Sequence, residues 1–454
     1  MPVDLYLKNG RVITETGEVY RGVAIHDGEI VELVADNRGV AARTEIDLGG
    51  KLVLPGLVDD HVHFNEPGRE HWEGYTTGTM AAAAGGVTTI MEMPLNATPP
   101  TINRQNLQNK QAAVRDKAVI DYALWGGLVD NNVADLDDLH AGGVIGFKGF
   151  MSASGVDFAR INDDVLYAGL CKAKALGNVV AVHAENEWVT GLLGQQLRDE
   201  GRIDRAAWLE SRPPATELEA LNRAIYWAGV TGGPLHVVHT TIAAGMQAAQ
   251  TAKAAGVNVT VETCSHYLAF DEADFVRIGP AAKCAPPLRS RAEVEALWQC
   301  VLDGLVDTLA SDHSPCPWAD KAPGLENIWK AWGGISGVQS LLPVLLTEGV
   351  HKRGLALPDL VRMTAGNPAR IFGLYPRKGS LLPGADADLV VIDLDAEWEL
   401  AVEDLFYKHK HSAYVGRRFK GKVERTLVRG KTVFEHGRIC VEPGYGQLLR
   451  RSTS

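Results

Sequence analysis

The run Val58-Asp59-Asp60-His61-Val62-His63 places two imidazoles two residues apart at the end of an apolar stretch. Side chains alternate faces along an extended strand, so His61 and His63 share one face and aim two ring nitrogens at one point. Neutral imidazoles so placed make half of a metal site, although an isolated pair equally suits two solvated or core histidines. The choice depends on whether other segments bring ligands to the same place.

Several apolar runs end in the same way. Val180-Ala181-Val182-His183 and Val237-Val238-His239 end in histidine, Leu309-Ala310-Ser311-Asp312-His313 ends in an acid and a histidine, and Gly146-Phe147-Lys148-Gly149-Phe150 carries a lysine. His236 and His239 are three apart and cannot face the same side, so His239, nearer the strand end, is the candidate. Asp312 and His313 are likewise opposed, and a carboxylate complements four neutral imidazoles around divalent cations better than a fifth ring does. His313, His71 and His266 are left as supporting or structural groups. Lys148 is the anomaly, because an ammonium has three donors and no lone pair. It is either a barrel lysine paired with an acid, or a lysine that has reacted with CO2 to give a carbamate, an anion able to bridge two metal ions.

The elements that must position these groups are short β-branched runs alternating with longer Ala-rich, helix-like stretches, the pattern of parallel strands joined by crossover helices. The candidate strands are Leu52–Val62, Val87–Met93, Ile120–Gly126, Val144–Phe150, Val179–Ala184, Leu235–His239, Val257–Thr263 and Val306–Ala310. Helices are expected over Tyr75–Ala84, Asn162–Leu176, Thr216–Ala228, Ile242–Ala255 and Arg291–Leu302. Eight such units predict an α/β fold, a (β/α)8 TIM-like barrel, whose reactive groups stand at the C-terminal strand ends. Asp4–Ile13, Val23–Val34, Thr44–Leu48, Ala387–Asp393 and Arg425–Phe434 read as further strands, with Gly430-Lys431 as a hairpin turn. Both termini are therefore expected to form one small β-sandwich domain, from residues 1–52 and 379–454, with the barrel, 53–378, inserted between them.

Composition narrows the partners. The 454 residues carry 45 Lys+Arg against 56 Asp+Glu, a net charge of −11, which argues against a general affinity for nucleic acid or an anionic membrane. The first residues, Met-Pro-Val-Asp-Leu-Tyr-Leu-Lys, lack a basic segment followed by an apolar one, and no run approaches the roughly 20 apolar residues of a spanning helix. A cytoplasmic location is expected. Six scattered cysteines without a C-x-x-C suggest neither a disulfide framework nor a thiolate zinc site.

Taken together, these residues resemble the cyclic amidohydrolases of the amidohydrolase superfamily, which includes dihydroorotases, hydantoinases and allantoinases. The resemblance covers essentially the whole chain. It is carried by Pro55–His63, Gly85-Gly86-Val87-Thr88-Thr89, Phe147-Lys148, His183-Ala184-Glu185, His239, Cys264-Ser265-His266-Tyr267, Ser311–Pro315, Asn367-Pro368-Ala369 and the Gly379–Asp393 segment. It implies that His61, His63 and Asp312 bind one metal ion, that His183 and His239 bind the other, and that an N6-carboxylated Lys148 bridges them. Two divalent ions per chain are so implied, zinc first and Co, Mn or Fe as other choices, with CO2 held as the lysine carbamate. Relatives of this kind are commonly homotetramers.

Three local features separate the branches. Dihydroorotases place Arg where Asn65 stands, a residue that pairs with a substrate carboxylate, so Asn65 points to a neutral ring. Hydantoinases carry a Tyr at the place of Ala153. Arg69–Tyr75, Met93-Pro94-Leu95-Asn96, Lys283-Cys284-Ala285-Pro286-Pro287 and Trp329–Ile335 look like the allantoinase branch. The implied reaction is metal-dependent hydrolysis of the hydantoin-ring amide of allantoin to allantoate, a step of purine and ureide degradation. Asp312 then serves as both ligand and acid–base, collecting a proton from the attacking water and passing it to the departing ring nitrogen. By the same resemblance Asn96, Ser314 and the backbone near Cys284 and Gly333 contact substrate. Ser314 equally suits a turn or helix cap, and Trp72 and Trp332 equally suit packing of the barrel mouth. A hydantoinase or dihydropyrimidinase acting on other neutral cyclic ureides is the alternative activity, and a dihydroorotase is a more distant one. A metal-free structural relative is the alternative of another class.

Overall fold

In the computed structural model, which describes residues 2–35 and 38–451, the predicted barrel strands form with ends that differ by a few residues. They are Leu57–Val62, Val87–Glu92, Asp121–Leu124 continued by Gly126–Gly127, Phe147–Phe150, Val180–His183, Leu235–Val237, Val259–Cys264 and Thr308–Ala310. Neighbours pair in parallel around the ring. Val62 bridges in parallel to His313, and the His63 N–H donates to the His313 carbonyl at 2.7 Å, which closes the last strand onto the first. Almost every strand residue is buried, inside by other side chains and outside by helices, which explains why the strands read as continuous apolar runs. The helices Tyr75–Ala84, Asp163–Leu176, Pro214–Thr231, Ala243–Ala254 and Arg291–Leu302 follow the Ala-rich stretches. The last of these starts where the Ser290 hydroxyl accepts from the Glu293 N–H, the usual cap for an otherwise unpaired first turn. Among the described residues no helix is long and apolar enough to cross a membrane.

Both termini contribute to one nine-stranded sheet folded over an apolar core that includes Leu7, Val12, Val23, Val53, Leu389 and Leu427. Three expected elements differ in detail. The run Leu52–Val62 is two strands: Leu52–Pro55 pairs with Val3–Thr14 and Leu389–Glu399 in the terminal sheet, and Leu57–Val62 enters the barrel. Gly56 makes the passage because a Cβ there would lie 2.2 Å from the Thr88 side chain. Val23–Val34 is a hairpin turning at Asp27-Gly28, both left-handed (φ 50° and 81°), the Asp-Gly signature of a tight turn between alternating strands. The late hairpin turns at Arg429-Gly430 rather than Gly430-Lys431, since Val428 pairs with Lys431.

The sheet is joined to the barrel by a buried ion network. Lys378 Nζ lies 2.6 Å from Asp121 on the third barrel strand and 2.8 Å from both Asp386 and Asp388, and Arg429 also pairs with Asp121. Removing the central cation leaves buried Asp388 without a cationic partner and Asp121 and Asp386 with only Arg429 and Arg377, a cost of about 3–5 kcal/mol for a buried pair broken on one side. Lys378→Met is therefore expected to lower unfolding stability by about that amount, and an unchanged urea midpoint would refute this account of the junction.

Candidate metal centre

The expected strand ends converge. The Nε2 atoms of His61 and His63 lie 3.3 Å and 3.4 Å from one oxygen of Asp312, and their potential ligand atoms fall within 4.8 Å of one another. His183 Nδ1 faces His239 Nε2 at 3.0 Å, and the rings of His61 and His239 are 5.4 Å apart. Lys148 is fully buried beside Phe150, whose ring stacks on His183. Its charge acts on His61, His183 and His239, helping burial to lower all three, so the lysine belongs to the same cluster. His239 and Asp312 both occupy the left-handed region (φ 39° and 41°), which non-glycine residues adopt mainly where the surroundings enforce it and function uses it.

The electrostatics suit a cation. Burial raises Asp312, but the imidazoles of His61, His63 and His266 outweigh it and hold the carboxyl near about 2, so it is ionised. Burial of Lys148 pushes its ammonium down to about 8, and its Nζ has no hydrogen-bond partner. His63 Nδ1 is likewise unpartnered. Neutral imidazoles, a carboxylate and an unpaired buried amine form a donor set that fits borderline divalent ions and lacks the soft thiolates of other sites.

Two acids missed by sequence reasoning aim the rings. Glu262 Oε1 accepts from His61 Nδ1 at 2.9 Å and from the His239 backbone N–H at 2.8 Å. This assigns the His61 proton to Nδ1 and leaves Nε2 free to bind, the usual carboxylate–histidine–metal relation. His236 Nε2 lies 3.5 Å from the other Glu262 oxygen, so His236 supports that acid rather than the centre. Glu185 takes His183 Nε2 at 2.8 Å and pairs with Arg212; burial raises it, but the Arg212 charge and the His183 hydrogen bond outweigh that and hold it at about 2. The signal for Glu262 was an acid inside the apolar run Val259–Cys264, where only a partnered carboxylate survives. Of the other histidines, His313 accepts the Gly337 N–H at Nδ1, His266 is buried with both nitrogens unpaired, and His71 is exposed, its carbonyl accepting from His409.

Above the cluster lies a small pocket of about 70 Å³. All four expected substrate positions, Asn96, Cys284, Ser314 and Gly333, line it, as do His61, His63, His183, His239, Asp312 and Ala153. No Lys or Arg is among the lining residues. Asn65 is fully buried and donates to the Pro315 carbonyl at 3.4 Å, so it packs a loop instead of meeting substrate. Trp72 and Trp332 meet edge to face at the mouth, 4.7 Å between centroids.

The amidohydrolase family model matches residues 52–433. An allantoinase of Rubrobacter xylanophilus is 49% identical, covering 98% of this chain and 97% of its own length. One from Solibacter usitatus is 47% identical, covering 98% and 96%. Among solved structures, an L-hydantoinase (dihydropyrimidinase) from Arthrobacter aurescens superposes with a TM-score of 0.97 at 37% identity, over 99% of this chain and all of that one. The chain belongs to the amidohydrolase family, and the converging imidazoles and carboxylate form its divalent metal centre. Within the family it groups with the allantoinases.

Next to the mouth loop, Glu73 is buried, takes the Lys408 N–H at 2.9 Å and has an unpaired second oxygen. Burial pushes it up to about 7. An acid raised in the folded state favours folding below its unfolded value, about 4.5, and loses that contribution as pH rises to about 7, roughly 3 kcal/mol in all. Glu73→Gln keeps the acceptor without the charge. It is expected to melt with wild type near pH 4.5 and above wild type at pH 8; parallel melting curves at both pH values would refute the assignment.

Proposed function

We infer that this chain hydrolyses the hydantoin-ring amide of allantoin to allantoate. The observation that carries this is the near-full-length identity of 49% and 47% to allantoinases, joined to a pocket lined by the candidate metal ligands and free of Lys and Arg, which suits a neutral ring. We read His61, His63 and Asp312 as holding one divalent ion, His183 and His239 as holding a second, and Lys148 as the bridge between them in its carbamate form; zinc is the first choice. The lowered Lys148 supports that form, because only a neutral amine attacks CO2: the nitrogen gains a C–N bond and releases one proton.

Bound there, the ions supply Lewis acidity, polarising the scissile carbonyl and bringing water's pKa from 15.7 toward about 7. The chain's own groups do the rest. Asp312, ionised, accepts one proton of the attacking water and delivers it to the ring nitrogen as the C–O bond forms and the C–N bond breaks, leaving a ureido group and a carboxyl group that gives its remaining proton to solvent. Glu262 keeps the His61 lone pair turned inward, and Glu185 with Arg212 does the same for His183. Asn96, Ser314 and the backbone of Cys284 and Gly333 orient the ring. Ala153 offers no hydroxyl to the carbonyl and gives its N–H to Glu187 instead.

The terminal β domain, the barrel and the boundaries 1–52, 53–378 and 379–454 are part of the same reading. So are a cytoplasmic location and a homotetramer; exposed Tyr167, Trp188 and Tyr226 on neighbouring barrel helices support self-association. Activity on other neutral ureides is the second reading, favoured by the hydantoinase superposition.

Metal-reconstituted enzyme with bicarbonate should turn over allantoin faster than 5-substituted hydantoins or dihydrouracil, and a chelator should abolish turnover. Absence of allantoin turnover would overturn the assignment. Asp312→Asn is expected to lower kcat by about 10² to 10⁴, the range of a lost general acid–base, measured at saturating substrate.

A further inference from the structure

Two buried ammonium groups stand behind one wall of the pocket, and the hydrolytic step does not use them. Lys283 is 3% exposed and Lys321 is 2% exposed. Neither has a carboxylate within ion-pair distance among the described residues. Lys321 Nζ donates to the carbonyls of Trp332 at 2.9 Å, Gly334 at 2.5 Å and Lys283 at 3.4 Å, which occupies its three hydrogens. Lys283 Nζ donates to the carbonyls of Ile328 at 2.9 Å and Ala331 at 2.7 Å, and lies 4.1 Å from the centre of the Trp208 ring. Burial lowers both, Lys283 to about 7 and Lys321 to about 8. Two neighbouring cations without an anion are costly in an interior.

The peptide units they hold explain the arrangement. A carbonyl shares its peptide with the N–H of the following residue. The Lys283 carbonyl is thus paired with the Cys284 N–H, and the Trp332 carbonyl with the Gly333 N–H. Cys284 and Gly333 both line the pocket, and neither N–H has a protein acceptor among the described residues. A Cβ on Gly333 would meet open space. A cation on the oxygen of a peptide draws electron density from its nitrogen, so the N–H becomes the stronger donor, as in any chain of polarised hydrogen bonds. Trp208 Nε1 holds the next carbonyl, that of Cys284, at 2.9 Å, which fixes the same segment from its other side.

We propose that Lys321, backed by Lys283, is a positioning residue that sets specificity: it aligns and polarises the Cys284 and Gly333 N–H groups so that they donate to the carbonyl oxygens of a neutral cyclic ureide. This rests on reading the pocket as a ureide site. The two charges also disfavour cationic rings and favour the carboxylate formed on ring opening.

The test is Lys321→Met, which keeps the length and apolar stem but leaves three carbonyls unheld. With metal-loaded enzyme and allantoin, KM is expected to rise about tenfold or more while kcat stays within about threefold, the mark of lost uniform binding. Metal content per chain stays at the wild-type value. Lys283→Met, one layer back, should raise KM by a smaller factor in the same direction. An unchanged KM, or a kcat and metal content that fall together with it, would overturn the proposal, since a loosened scaffold affects all three. If the Met variant does not fold, Lys321→Gln, which retains one donor group, is held to the same criteria. Failure of the ureide reading is distinguishable: wild-type enzyme would then leave allantoin unchanged, and the KM comparison moves to whichever ring of the neutral ureide panel it opens.

Discussion

A single carboxylate oxygen ties the site together: Glu262 Oε1 receives both the His61 ring N–H and the His239 main-chain N–H. A buried anion is tolerable only when donors surround it, so the barrel must bring three strands into register around that oxygen before the acid can be accommodated. Once they are, the imidazole of the first strand cannot rotate, and the left-handed turn at His239 is fastened by its own amide. The parallel bridge from Val62 to His313 then sets Asp312 against His61 and His63. Ligand geometry is thus a property of strand register.

Chemistry and selection are carried by different parts of the molecule. The reacting centre stands on strands and is held by short hydrogen bonds between buried groups. The outer walls of the pocket are loops, Lys283–Ala285 and Ile328–Ile335, which reach a strand only where Ile335 bridges to His313. Their rigidity comes from ammonium groups whose hydrogens reach main-chain oxygens.

Much of this was legible in the sequence because each ligand terminates a strongly apolar run, and period-two alternation decides which of two adjacent groups faces inward. That reasoning separated His239 from His236 and Asp312 from His313. It did not find Glu262, since an acid inside an apolar run reads as an exception until its partners are in place, and the ring it holds, His61, lies 201 residues away in sequence. Leu52–Val62 reads as one strand because Gly56 turns the chain without breaking the apolar pattern. The role of Asn65 was inferred from charge alone; its side chain packs a loop, so the absence of a cation matters more than the asparagine itself.

The split at Gly56 also orders assembly. Leu52–Pro55 lies between Val3–Thr14 and Leu389–Glu399, so one of its two edges stays bare until the chain is almost complete. During synthesis a four-residue apolar edge, continuous with the strand that carries His61 and His63, must wait while more than 300 intervening residues emerge and coil into the barrel. Shortness keeps such an edge from recruiting other nascent chains. Loss of the final strands would return it to solvent, with that shortness as its one protection against pairing with another chain.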